Sequence, residues 1–145
     1  MMNKSGRKMV VVPCSGIGKP FGTVSREAAY NLVEDLRPDA TRLVALSKLV
    51  LGDEEARATV AASPVITIDG CKMNCAAKMV RESGGTIAKE VAVQEIHRQH
   101  KELRPEGIAH LNPEGQQLAR VLAEELVTEI DALDRTDCKE EGSHA

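Results

Sequence analysis

Short runs of β-branched and aliphatic residues alternate along the chain with longer segments in which apolar positions recur every three or four residues. Met9–Val12, Arg42–Leu46 and Val65–Ile68 are runs of the first kind, with Thr86–Val93 a looser fourth. Their near-continuous apolar character predicts strands buried on both faces, as in a parallel sheet. Between the first two, Val24, Ala28, Leu32, Val33 and Leu36 share one face of a helix over Thr23–Leu36, with Thr23 as N-cap and Pro38 just past the end. Asp53 is positioned to cap a helix over Glu54–Ala62, and a helix over Cys71–Ser83 runs into Gly84-Gly85, the usual C-terminal glycine. Strand and helix alternate, which predicts a three-layer, Rossmann-like α/β domain: a mainly parallel sheet of about four strands with right-handed crossovers and helices on both faces.

The last third follows a different pattern. Gln94–Leu103 is a polar helical stretch that the turn residues Arg104-Pro105-Glu106-Gly107 interrupt. An added C-terminal helix starts at Asn112-Pro113, a cap followed by a first-turn proline, and carries the stripe Leu118, Val121, Leu122, Leu126, Ile130 and Leu133. That stripe covers either the domain's own sheet or a second copy of the chain, so a homodimer stays open. The expected domain runs over 8–133 as one unit, with 1–7 and 134–145 as flexible tails.

Composition narrows the function. A length of 145 residues allows one domain with a real core. With one Phe, one Tyr and no Trp, that core must be aliphatic, and the chain lacks the rings that stack on bases or anchor at membrane interfaces. A formal charge of -3 gives nucleic acid no electrostatic footing. No stretch approaches a membrane span, and the basic Met1–Lys8 precedes the run MVVVP, too short for a signal peptide's apolar region. The expected address is therefore cytoplasmic, without nucleic-acid or membrane partners. In that reducing compartment the four cysteines read as metal ligands, redox groups or core residues before they read as disulfides.

In a doubly wound sheet the crossovers leaving the first and third strands diverge and open a crevice at the carboxyl ends. Cys14 follows the first strand in VPCSGIGK and Cys71 follows the third in IDGC. Cys71 and Cys75, four apart, fall on one side of a helix at its first turn, where unpaired amides and the positive dipole end favour thiolates. Lys19 and Lys72 add to that field. Neighbouring parallel strands lie ~4.8 Å apart, so Cys14 can complete a three-thiolate face on one ion with metal–sulfur bonds of ~2.3 Å. Ser15, Gly16, Gly18 and the pair Asp69-Gly70 are the candidate loop contacts to a small molecule or anion, because glycine turns expose backbone N–H groups. The plain alternatives are core thiols and flexible post-strand loops.

At these residues the chain resembles the DGC-domain family of bacterial and archaeal proteins named for an Asp-Gly-Cys motif. The resemblance runs from about Lys8 to Ile96 and rests on VVPCSGIG at 11–18, REAA at 26–29 and ITIDGCKMNCAAKMVRESGG at 66–85. It implies a zinc site of four cysteines, of which Cys14, Cys71 and Cys75 carry over. The family's remaining cysteine often ends the second strand, where this chain has Ala45-Leu46-Ser47. The fourth position is left to water or a substrate, to Cys138 returning from the tail, or to His97; an open position is the pattern of catalytic zinc. His97 and His100 form H-x-x-H, otherwise a solvated helix pair. Asp69 either orients a ligand or simply makes the turn, and Met73 and Met79 are expected to pack beneath the cluster.

Two chemistries remain open on these residues. One is a thiolate metal site, zinc by preference, for a structural, metal-handling or catalytic purpose. The other is a thiol-redox or persulfide-carrying enzyme in which Cys71 is the nucleophile and Cys75 or Cys14 resolves it. A phosphatase-like loop with Cys14 as nucleophile lacks its arginine, for which Lys19 is a poor bidentate substitute.

Overall fold

The structure, a computed structural model, describes residues 8–14, 19–70 and 73–144, with side chains through residue 133. Its elements are β1 (Met9–Pro13), α1 (Pro20–Tyr30) extended by a wider helical segment (Asn31–Leu36), β2 (Thr41–Leu43), α2 (Leu46–Leu51) and α3 (Glu54–Ala62). There follow β3 (Pro64–Asp69), α4 (Cys75–Glu82), β4 (Thr86–Ala92), α5 (Val93–Gln99) and α6 (Pro113–His144). The four strands pair in parallel in the order β2-β1-β3-β4. This is the α/β architecture expected from the alternating pattern, C-terminal helix included.

Alternate residues of the central strands feed two aliphatic layers, as a sheet covered on both faces requires. Val11, Ile66 and Ile68 pack with Val24, Ala28 and Leu32 of α1, Val93 and Ile96 of α5, and Leu118, Leu122, Leu126 and Ile130 of α6. Val10, Val12 and Val65 pack on the opposite face with Leu46 and Leu49 of α2, Ala56 and Val60 of α3, and Ala76 and Val80 of α4. The chain thus leaves β1 by one face and β3 by the other. The α6 stripe packs into the domain's own core, with Leu118, Leu122, Leu126 and Ile130 buried and Val121 and Leu133 partly so.

Several boundaries differ from the sequence expectation. Helix α1 begins three residues early, at Pro20, whose fixed φ suits the first helical position. Thr23 is therefore not a cap; it is buried, and its hydroxyl donates to the Ile108 carbonyl at 2.7 Å, pinning the 104–111 segment across the first turn of α1. The second strand stops at Leu43, and Leu46 opens α2 instead of ending the strand. The polar stretch after β4 is helical only over Val93–Gln99. Asp53 caps α3 as expected, accepting from the Ala56 amide at 2.9 Å. Asn112 does the same for α6, accepting from Gly115 at 2.9 Å.

Helix α6 has a direction that matters for the site. It starts beside the Thr23–Ile108 contact, at the carboxyl edge of the sheet, and its Asp131 meets Arg37 in a two-point ion pair at 3.0 and 2.8 Å. Arg37 lies just before β2, at the amino edge, where its carbonyl accepts from the Thr41 amide at 3.1 Å. The hydrogen bonds and charge of Asp131 hold the Arg37 guanidinium above its ordinary pKa. The backbone of α6 stays helical through His144, over the stretch expected as a tail from Asp134. No helix among the described residues is long and apolar enough to cross a membrane.

Candidate functional site

The carboxyl ends of β1 and β3 lie side by side, with Pro13 in register with Ile68. The ladder continues one residue further, since the Cys14 amide donates to the Ile68 carbonyl at 2.8 Å, so Cys14 sits beside the β3 terminus and is buried to 6% exposure. Its own carbonyl is held by the buried Ser25 hydroxyl, which bridges Cys14 at 3.0 Å and Gly22 at 2.7 Å. Helix α1 is thereby fixed to the end of β1 by a single side chain.

Asp69 ends β3 at 1% exposure, and its carboxylate faces the start of α4. Oδ1 accepts from the Ala76 amide at 2.9 Å and Oδ2 from the Ala77 amide at 3.3 Å. Asn74, at the formal N-cap position, takes a left-handed φ of 54° and makes no side-chain cap. The capping of α4 therefore comes from five residues earlier, and it closes the chain between Asp69 and Ala76 into a loop. Burial pushes the Asp69 carboxyl above its ordinary range, the two backbone bonds pull it down, and the nearby Glu90 charge adds to the rise.

Gly70 follows, and its absent side chain is a packing requirement. A Cβ there would lie 2.8 Å from the Gly22 nitrogen and from the carbonyl carbon and oxygen of Phe21, all backbone atoms of α1. The Asp-Gly pair thus does two jobs: the carboxylate ties the chain forward to α4, and the glycine admits α1 against the β3 terminus.

Cys75 is the first residue of α4, exposed to solvent and outside any disulfide. The expected helix over Cys71–Ser83 therefore starts four residues later, with the left-handed Asn74 immediately before it. Cys75 is thus the first residue of the helix rather than its second turn, and the Asp69 bonds to Ala76 and Ala77 span the stretch that leads into it. Cys71 itself lies outside the described residues, as do Ser15, Gly16, Gly18 and Lys72. Among the described residues no three His, Cys, Asp or Glu side chains converge on a common point. Cys14, Cys75 and His97 do not form a triad by themselves.

His97 sits on α5, its ring tilted 57° against Phe21 with centroids 5.3 Å apart. Its Nε2 is buried and has no hydrogen-bond partner among the described residues. Met73, expected beneath the cluster, is 61% exposed, while Met79 packs against the α2–α4 layer as anticipated. The backbone at Cys138 continues α6 seven residues beyond Asp131, about 10 Å further along the axis and away from this edge.

Ser25 and Phe21 were not singled out by the motif reading. A signal for Ser25 exists in the chain: Gly22, Ser25 and Ala29 recur at spacings of three and four, a small-residue stripe on which a helix can approach closely, and all three are buried. Two grooves lie elsewhere. One of about 330 Å³ is lined by Glu27, Asn31, His110, Gln116 and Arg120, and one of about 310 Å³ lies between β4, α5 and α6; neither contains a thiol.

Comparison with known proteins gives one family: the DGC domain matches residues 10–114, a span that holds all the carboxyl-edge residues described above. No curated protein and no solved structure matches the chain.

Proposed function

This chain belongs to the DGC-domain family, and on that premise we propose that it holds a thiolate-preferring metal ion, zinc by preference, through Cys14, Cys71 and Cys75 at the carboxyl edge of its sheet. The observation that carries the reading is the Asp69 carboxylate, bonded forward to Ala76 and Ala77 from the end of β3. In the sequence Cys71 and Cys75 both stand between these two hydrogen-bonded ends, and the Cys14 amide bonded to Ile68 supports the reading from the neighbouring strand. The donor set suits zinc, since sulfur ligands in a tetrahedral shell are its common structural choice, and three protein ligands leave a fourth position for water or a small anionic molecule. Ser15, Gly16, Gly18 and Gly70 are the loop positions from which backbone groups would meet that molecule. A reducing, cytoplasmic setting keeps such thiols available.

The test is elemental analysis of untagged protein. About one zinc per chain is expected, lost on Cys71→Ser, and a fully loaded C71S protein would remove Cys71 from the ligand set. Because thiolates must shed protons to bind, apparent affinity falls as pH is lowered, which titration at two pH values reads directly. Protein that carries no metal yet turns over a disulfide or persulfide substrate would replace this reading with thiol chemistry.

A further inference from the structure

Strand β4 ends the sheet: the order β2-β1-β3-β4 leaves its outer side without a neighbouring strand among the described residues. Its first half is interrupted, since Ile87 pairs with Val65 and Lys89 with Ile66, so Ala88 bulges out of the ladder. Bulges of this kind commonly guard an edge against further pairing. The second half carries no such guard. Lys89, Glu90, Val91 and Ala92 pair in unbroken register with Ile66 to Asp69, which leaves a regular row of backbone donors and acceptors facing outward.

The same four residues form one wall of the groove of about 310 Å³ between β4, α5 and α6. The groove has an apolar floor, since Val91, Ile96, Leu122 and Leu126 line it and belong to the core beneath. Its rim is acidic, with Glu95, Glu125 and Glu129 set against Lys89 as the one cation among the described lining residues. These carboxylates have surface partners only: Lys89 lies 3.8 Å from Glu129, Arg98 2.6 Å from Glu95 and His100 3.9 Å from Glu125. Such pairs contribute little and give way readily to an incoming ammonium. On the other face Glu90 is held by Arg81 of α4 at 2.9 Å.

An open strand edge beside an acidic groove with an aliphatic floor selects its occupant. We infer that β4 receives an extended, lysine-rich segment of a protein partner as a fifth strand. Main-chain hydrogen bonds to the outer side of residues 89–92 hold it, and alternate lysines lay their stems along the floor with their ammonium groups at Glu95, Glu125 and Glu129. A second copy of the chain is the poorer occupant, because a two-fold contact sets these glutamates against their own counterparts. No thiol lines the groove, so the inference is independent of the metal reading.

The test titrates the full chain into fluorescein-labelled Lys-Thr-Lys-Thr-Lys-Thr-Lys amide, followed by anisotropy. Binding is expected, and it should weaken at least about tenfold when glutamates replace the lysines of the peptide, and likewise with Glu125→Lys in the protein. Glu125 is exposed on α6, and circular dichroism checks that the variant keeps its fold. The same peptide N-methylated throughout keeps its charge but has no backbone N–H, and it too should bind at least about tenfold more weakly. Amide hydrogen exchange should slow over residues 88–92 when the lysine peptide is bound. Equal affinity for the N-methylated peptide, no binding of the lysine peptide, or self-association of the chain that protects the same residues each overturns the inference.

Discussion

Replacing Asp69 with alanine is the sharpest perturbation of this fold. Both amides that its carboxylate accepts belong to residues with 0% exposure, Ala76 and Ala77, so no water can take over. An orphaned buried donor costs about 1–3 kcal/mol, and with the longer 3.3 Å bond at the low end the pair comes to roughly 2–4 kcal/mol. Part is returned, because burial disfavours the carboxylate charge that the substitution removes. The expected net loss is roughly 1–3 kcal/mol, equivalent to about 3 °C in Tm per kcal/mol for a chain of this size. Asp69→Asn keeps an oxygen for the Ala76 amide and carries no buried charge, so it should lose less than the alanine variant. Urea unfolding of metal-free protein, followed by circular dichroism, measures both. A loss below about 0.5 kcal/mol for Asp69→Ala, or an asparagine variant weaker than the alanine one, would refute the capping role.

The same pair of proteins tests the electrostatics. An acid whose folded pKa lies above its unfolded value binds its proton more tightly when folded, so its contribution is fully present below the ordinary carboxylate range. It declines as pH rises through the window up to the raised value and is flat beyond it. The stability of wild type minus Asp69→Asn should therefore fall with rising pH across that window; a difference that grows with pH would contradict the direction.

Other outcomes follow from particular contacts. Gly70→Ala forces a methyl to within 2.8 Å of three α1 backbone atoms and should cost about 1–3 kcal/mol in urea unfolding. Asn112→Ala removes the acceptor shared by the Gly115 and Glu106 amides, both at 2.9 Å, and should cost about 1 kcal/mol or more, with increased proteolysis of the 104–111 segment as a second readout. Cys138→Ser should leave zinc stoichiometry unchanged, because its backbone lies beyond Asp131 on α6, away from the carboxyl edge of the sheet; loss of metal in elemental analysis would reverse that assignment.

The alternation of strand-like runs with helical periodicity was enough to predict the sheet, its parallel pairing and the two covering layers. These features depend on which residues must leave water, and the sequence carries that information directly. The strand order follows from the same premises, and with it the neighbourhood of Cys14 and the Asp69 terminus. Local capping chemistry was legible at Asp53 and Asn112, where the cap and its amide are three residues apart.

What the tertiary structure decided is whatever depends on groups distant in the chain or on competition between two local solutions. Helix α4 starts at Cys75 rather than Cys71 because a buried carboxylate on another element takes the first-turn amides, and no periodicity encodes that. Thr23 looks like a cap, but Pro20 already begins the helix and Ile108, brought from 85 residues away, takes the hydroxyl. Cys138 is placed away from the carboxyl edge by the direction of α6, which the Arg37–Asp131 pair fixes across 94 residues. Composition and spacing determine which residues are available for chemistry; only the packed chain determines which of them meet, because that meeting is set by directions in space that a one-dimensional pattern does not contain.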